Sequence, residues 1–263
     1  MKPTDYKYYM AFPSNTVSLS SVPKTVRNST HFQNLLDAKI IDLEKSGRGR
    51  KVTVIKPEAY AEFVAKHFPD TTNDTQTKAA NIRKFRNSKA RKIYTPPVFL
   101  ARGFKLININ GKRVDLKTAT ESFGLFAVKE PNLTTDNVCF VENLDTFLKA
   151  EKVLGKNHVF LHRYGRIGTD SIKNISAKKV VVFVDYDFNG LAEYLRVKSV
   201  FPNAILYMPD NFQVLFDEFS VTLNGRQKAT KAIMDSPLSE VVMIRELVAK
   251  TNRFLEQEIL TDD

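Results

Sequence analysis

Apolar positions along the chain follow two different periods. His31-Phe-Gln-Asn-Leu-Leu-Asp-Ala-Lys-Ile-Ile41 reads as a helix. It leads through Asp42-Leu-Glu-Lys to Ser46-Gly-Arg-Gly-Arg-Lys51 and then to the β-branched run Val52-Thr-Val-Ile55. Two glycines among arginines ahead of such a run predict a hairpin tip with a returning strand. Pro57 to Phe68 suits a helix with proline in its first turn. Pro69-Asp-Thr-Thr-Asn-Asp-Thr is turn-rich. Strand-like Val98-Phe-Leu and Leu106-Ile-Asn-Ile follow, with a turn at Asn110-Gly111 and then Arg113-Val-Asp-Leu. From Asp136 the pattern becomes short apolar runs alternating with helical stretches: strands at 138–141, 158–162, 180–184 and 204–208, and helices from 143, 169 and 190. Residues 238–260 are expected to be mostly helical.

Helix, basic hairpin, helix is the outline of a winged-helix DNA-binding domain, expected over residues 1–70, with Arg48, Arg50 and Lys51 on the wing. Strand–helix alternation with strands apolar on both faces argues for a parallel sheet covered on both sides, expected over 133–263. Residues 71–132 are then a basic helix and a β-rich connector. The fold class expected is α/β, a winged-helix region before a parallel-sheet domain.

Composition leaves this picture in place: hydrophobic residues are 43% and charged residues 26%, ordinary for a globular chain. The apolar runs are too short to span a bilayer, the N-terminus has no signal-like apolar core, and Cys139 is the single cysteine. A cytoplasmic, nucleoid-associated location is expected, with no membrane partner. Charge adds more. The formal net charge is +11, but residues 1–130 carry 24 Lys and Arg against 11 Asp and Glu, whereas residues 131–263 carry 16 against 18. Lys78 to Lys92 holds seven basic residues (Lys78, Arg83, Lys84, Arg86, Lys89, Arg91, Lys92) and no acid. A basic half beside a near-neutral half points to a polyanion, nucleic acid, held by one part while the other does chemistry.

In open parallel sheets the functional crevice lies beyond the carboxyl ends of the strands. Glu142 ends the first strand of the alternating region, and Asp185 and Asp187 end the third. Side chains alternate along an extended backbone, so Asp-Tyr-Asp puts both aspartates on one side. Three such carboxylates are hard oxygen donors suited to Mg²⁺ or Mn²⁺. Each alone has a plainer reading, as a charge at a helix N-terminus or as a helix cap. His162, Arg163 and Arg166 follow the second strand and are expected to face the same crevice, where arginine holds phosphate. Asp210 reads as a turn residue, His31, His67 and His158 as structural, and no Walker-type loop is present.

Glu142-Asn-Leu-Asp-Thr-Phe-Leu148, then Asp185-Tyr-Asp187 with Gly190, then Phe201-Pro, resembles the Toprim domain. The likeness is closest to the Wadjet-system nuclease subunit and its topoisomerase VI A-subunit relatives, and covers roughly residues 136–215. Domain order agrees, because that family places winged-helix segments before Toprim. The resemblance implies a Mg²⁺-dependent DNA endonuclease or nickase. Glu142 would be a general acid/base or metal ligand, and Asp185 and Asp187 metal ligands. A homodimer and a defence or genome-maintenance complex with a separate motor ATPase are also implied. The topoisomerase relatives use a tyrosine instead. Tyr94, in Arg91-Lys-Ile-Tyr, and Tyr60 are the candidates here, although Thr95 stands where those relatives usually carry a second tyrosine. A non-catalytic DNA-binding subunit is the remaining alternative.

Overall fold

The computed structural model describes residues 3–67, 77–85, 88–89, 93–223 and 227–261. The chain forms two compact units, Met1–Thr95 and Pro96–Asp263.

The first unit holds helices α1 (Pro3–Ala11), α2 (Lys24–Arg27), α3 (Thr30–Asp37), α4 (Pro57–His67) and α5 (Lys78–Phe85), with strands β1 (Ile41–Ser46) and β2 (Gly49–Val54). Ser29 caps α3 by accepting from the Phe32 N–H at 3.2 Å. That helix stops at Asp37 rather than running on to Ile41, because Lys39 turns the backbone at φ 51° and Ile41 begins a strand opposite Val54. The hairpin reverses at Gly47, whose φ of 57° favours glycine. Tyr9, Phe12, Val26, Phe32, Ile41, Val52 and Tyr60 make a separate small core. Residues 69–75, expected as a connector, lie outside the described residues.

The second unit is a mixed α/β fold. Its strands are β3 (Val98–Arg102), β4 (Leu106–Ile109), β5 (Lys112–Asp115), β6 (Phe126–Lys129), β7 (Leu133–Val141), β8 (Val159–His162), β9 (Ile175–Phe183), β10 (Ile205–Leu206), β11 (Val221–Thr222) and β12 (Arg253–Phe254). Its helices are α6 (Leu116–Phe123), α7 (Leu144–Leu154), α8 (Thr169–Ile172), α9 (Phe188–Val200), α10 (Phe212–Phe219), α11 (Lys231–Met234) and α12 (Ser239–Thr251). The main sheet runs β10-β9-β7-β8-β3-β6, and β4, paired with β5, touches β7 at Ile109 and Leu133. Strands β10, β9, β7 and β8 are parallel, while β3 and β6 extend the sheet antiparallel. The segment expected as a β-rich connector is therefore sheet. Buried Arg102 on β3 locks it there, with Glu151 of α7 at 2.5 and 2.7 Å and the Phe147 carbonyl at 2.8 Å.

Alternation along β7 and β9 sends their side chains into two cores. Phe140, Val180, Val182 and Val184 pack with Leu191 and Tyr194 of α9 and Ile244 of α12, and Cys139, Val141, Val181 and Phe183 pack with Phe147 and Ala150 of α7. Each such side chain contributes about 1.5–3 kcal/mol by leaving water. From β7 the chain crosses to β8 on one side and returns to β9 on the other. The sheet's direction of winding thus reverses between β7 and β9, where open α/β sheets leave a crevice.

The C-terminal stretch is only partly the expected helix. Asn252 adopts φ 53° and ends α12; β12 then pairs with β11, and a 3₁₀ turn spans Gln257–Leu260. Among the described residues no helix is long and apolar enough to cross a membrane.

Candidate functional site

Register alone brings two of the three acids together. Val141 of β7 lies opposite Phe183 of β9, and the Glu142 N–H donates to the Phe183 carbonyl at 3.0 Å. Glu142 is half-buried and its Oε2 is buried without a hydrogen-bond partner. Burial first, then the charges of Asp185, Asp187 and Glu193, pushes its carboxyl from the ordinary 4.5 up to about 8. The next residue, Asn143, caps α7 through the Asp145 N–H at 2.8 Å.

Past β9, which ends at Phe183, the chain bends at Tyr186 and Asp187; Tyr186 is fully buried and donates its hydroxyl to the Tyr207 carbonyl at 2.9 Å. Asp185 Oδ1 accepts from the backbone N–H and side-chain amide of Gln257, at 2.9 and 3.3 Å. Burial raises Asp185 to about 6 against the lowering effect of the Gln257 N–H, with Glu258 and Asp187 adding repulsion. Asp187 is 4% exposed, and both its oxygens are engaged: Oδ1 accepts from the Gly190 N–H at 2.7 Å and Oδ2 from Gln227 Nε2 at 2.8 Å. The plain helix-cap reading thus holds for Asp187, which caps α9 as well as joining the acids. Gly190 is sterically required, since a Cβ there would lie 1.9 Å from the Asp185 carbonyl oxygen.

Among the described residues no three His, Cys, Asp or Glu side chains stand in a ready metal-binding group. The local charge nevertheless suits a cation. Glu142 presents a buried unpartnered oxygen, and the mutual repulsion of Glu142, Asp185 and Asp187 is what a bound positive charge relieves. Asp187 would have to give up Gln227 to offer Oδ2.

A cleft of about 710 Å³ opens beside Glu142, lined also by His162, Arg163, Tyr164, Arg166, Glu193 and Arg196. His162 closes β8, with Nδ1 3.1 Å from the Val141 carbonyl and Nε2 buried without a partner; burial holds it below the usual histidine range. Arg163 is half-buried over the Phe99 ring, 5.9 Å from its centroid, and Arg166 is exposed. Glu193 of α9 accepts from the Ile167 N–H at 3.1 Å and pairs with Arg196. Asp210 is exposed in the turn before α10, as expected.

The other predicted basic residues belong to the first unit. Arg48 and Arg50 are exposed at the hairpin tip, but Lys51 pairs across the hairpin with Glu44 at 3.3 Å, the residue its register sets opposite. Arg83 is exposed on α5 and Lys89 is exposed beyond it. Arg86, Arg91 and Lys92, and the side chain of Lys84, lie outside the described residues. Tyr60 is buried and donates to the Tyr9 carbonyl at 2.6 Å, and burial drives its phenol far above the usual range. Tyr94 is 72% exposed.

Sequence reasoning missed Gln257, Glu258, Gln227 and Glu193. None stands in a motif, and Gln257 reaches Asp185 only because the chain reverses after Asn252. The one available signal was Glu193 with Arg196 at helical spacing, which reads equally well as a surface ion pair. No protein-family profile and no curated protein matches the chain, which leaves the placement of these side chains as the ground for what they do.

Proposed function

We propose that the second unit is a Toprim-like phosphodiesterase domain that cuts or nicks DNA with Mg²⁺ or Mn²⁺, and that the first unit is a winged-helix-like DNA-binding region. The observation that carries the reading is the buried, unpartnered Glu142 oxygen beside Asp185 and Asp187 at the point where the sheet reverses its winding. Bound there, a divalent cation supplies Lewis-acid stabilisation of the charge that gathers on a phosphate during in-line displacement. Asp185 and Asp187 would hold it, with Gln257 fixing Asp185 and the α9 cap fixing Asp187. Glu142, with a proton affinity near neutrality, is suited to take or give a proton at the reacting oxygen. Arg163 and Arg166, on the loop after β8 and lining the same cleft as Glu142, would hold the phosphate.

Plasmid cleavage in Mg²⁺ or Mn²⁺ tests this. Asp185→Ala is expected to lower the rate about 100-fold or more, in the range of losing a group that stabilises the transition state. Cleavage that survives the substitution, or DNA-dependent function that survives both Glu142→Ala and Asp185→Ala, sinks the assignment. A covalent protein–DNA adduct would move the chemistry to Tyr94.

A further inference from the structure

The loop after β8, His162-Arg-Tyr-Gly-Arg-Ile167, does something the acids leave unexplained. Tyr164 is 75% exposed, its ring edge-on to His162 at a centroid distance of 5.4 Å. The loop is anchored at both ends: His162 is buried at one, Ile167 is buried at the other with its N–H held by Glu193, and Gly165 takes φ 73° between them. The exposed ring contributes nothing to the core, and its surface is open to a ligand.

The ring's neighbours are cationic. Arg163 and Arg166 flank it, and Arg196, Lys228 and Thr230 line the same cleft, with Glu142 among its walls. Arg196 is neutralised by Glu193, whereas neither Arg166 nor Lys228 has an ion pair among the described residues. A flat aromatic surface interleaved with free cations matches the alternation of bases and phosphates in an unpaired strand. In a duplex the bases face each other, and Tyr164 could stack on one only after it left the helix. The cleft, at about 710 Å³, also has the size of a small-ligand pocket.

We propose that this cleft binds single-stranded DNA, with a base stacked on Tyr164 and adjoining phosphates on Arg163, Arg166 and Lys228. The inference rests on the phosphodiesterase reading in one respect: a strand held this way passes Glu142, which makes overhangs, gaps or melted tracts the substrate class. Binding itself is independent of hydrolysis and is tested without it.

The probe is a fluorescent oligothymidylate of about 12 nucleotides, within the site sizes of single-strand binders. It is titrated with the full chain in EDTA and compared with a hairpin duplex of similar length. Tyr164→Ala is expected to weaken oligothymidylate binding roughly 5- to 150-fold, the loss of one stacked base. Duplex binding should stay within about twofold, and Tyr164→Phe should keep the wild-type affinity for both probes, because stacking needs only the ring. Arg166→Gln should flatten the salt dependence of the oligothymidylate arm. Equal oligothymidylate affinity for wild type and Tyr164→Ala, or an equal loss on both probes, overturns the inference. The two readings fail separately. The predicted Tyr164→Ala loss in EDTA upholds strand binding even where the wild type cleaves nothing in Mg²⁺. Cleavage without that loss removes strand binding and leaves hydrolysis.

Discussion

Glu142 concentrates the electrostatics of the second unit in one side chain. Its carboxyl holds a proton up to about pH 8 in the folded chain, against an ordinary 4.5. Below 4.5 the group is protonated in both states and leaves stability unchanged. Above it the unfolded chain ionises freely and the folded chain does not, so stability falls as pH rises from about 4.5 to about 8 and levels off beyond. The full difference is on the order of 5 kcal/mol. Thermal melts in EDTA should show Glu142→Gln with a flatter decline than wild type between pH 5 and 8.5. Mg²⁺ should stabilise the wild type more at the alkaline end than at pH 5, and the variant with less dependence on pH; parallel pH profiles would overturn this account of the site. The three acids were legible in the sequence because they follow the apolar runs of β7 and β9, after which the strands end at Val141 and Phe183. Their partners were not: nothing local links Gln227 to Asp187, and nothing in the sequence tells that the Asp185 carbonyl packs against Gly190 at the start of its helix.

At the scale of elements, β7 and β9 were readable from their apolar runs, and the hairpin from its two glycines. Two helix misreadings occurred where single residues in the left-handed region redirect the backbone, Lys39 after α3 and Asn252 after α12, since apolar periodicity carries no record of φ. The second redirection matters more, because it returns the chain under the Asp-x-Asp segment: the Tyr186 N–H donates to the Leu255 carbonyl and Gln257 grips Asp185. Gln257→Ala removes the side-chain hydrogen bond and keeps the backbone one. Losing such an outer partner of a metal-binding carboxylate typically costs about 10-fold or more in metal affinity or rate. Mg²⁺ titration of the cleavage rate is expected to show that shift with little change in melting temperature. A half-saturating Mg²⁺ concentration identical to wild type would leave Gln257 a packing residue only.

For the whole molecule, the structural boundary sharpens the charge asymmetry. Residues 1–95 carry 18 Lys and Arg against 8 Asp and Glu, and residues 96–263 carry 22 against 21, so nearly all the excess lies in the first unit. Duplex affinity of the full chain should therefore fall steeply with salt. Arg48→Ala with Arg50→Ala should lower the magnitude of the log–log slope by about 2, one ion released per lost phosphate contact. An unchanged slope would remove the hairpin tip from the interface. The Gln257 contact also has a consequence in time. Asp185 is added 72 residues before Gln257, and at ordinary synthesis rates that gap is roughly 4–14 s. Throughout it Asp185 lacks its clamp, so the acidic centre is finished only after Gln257 has been made.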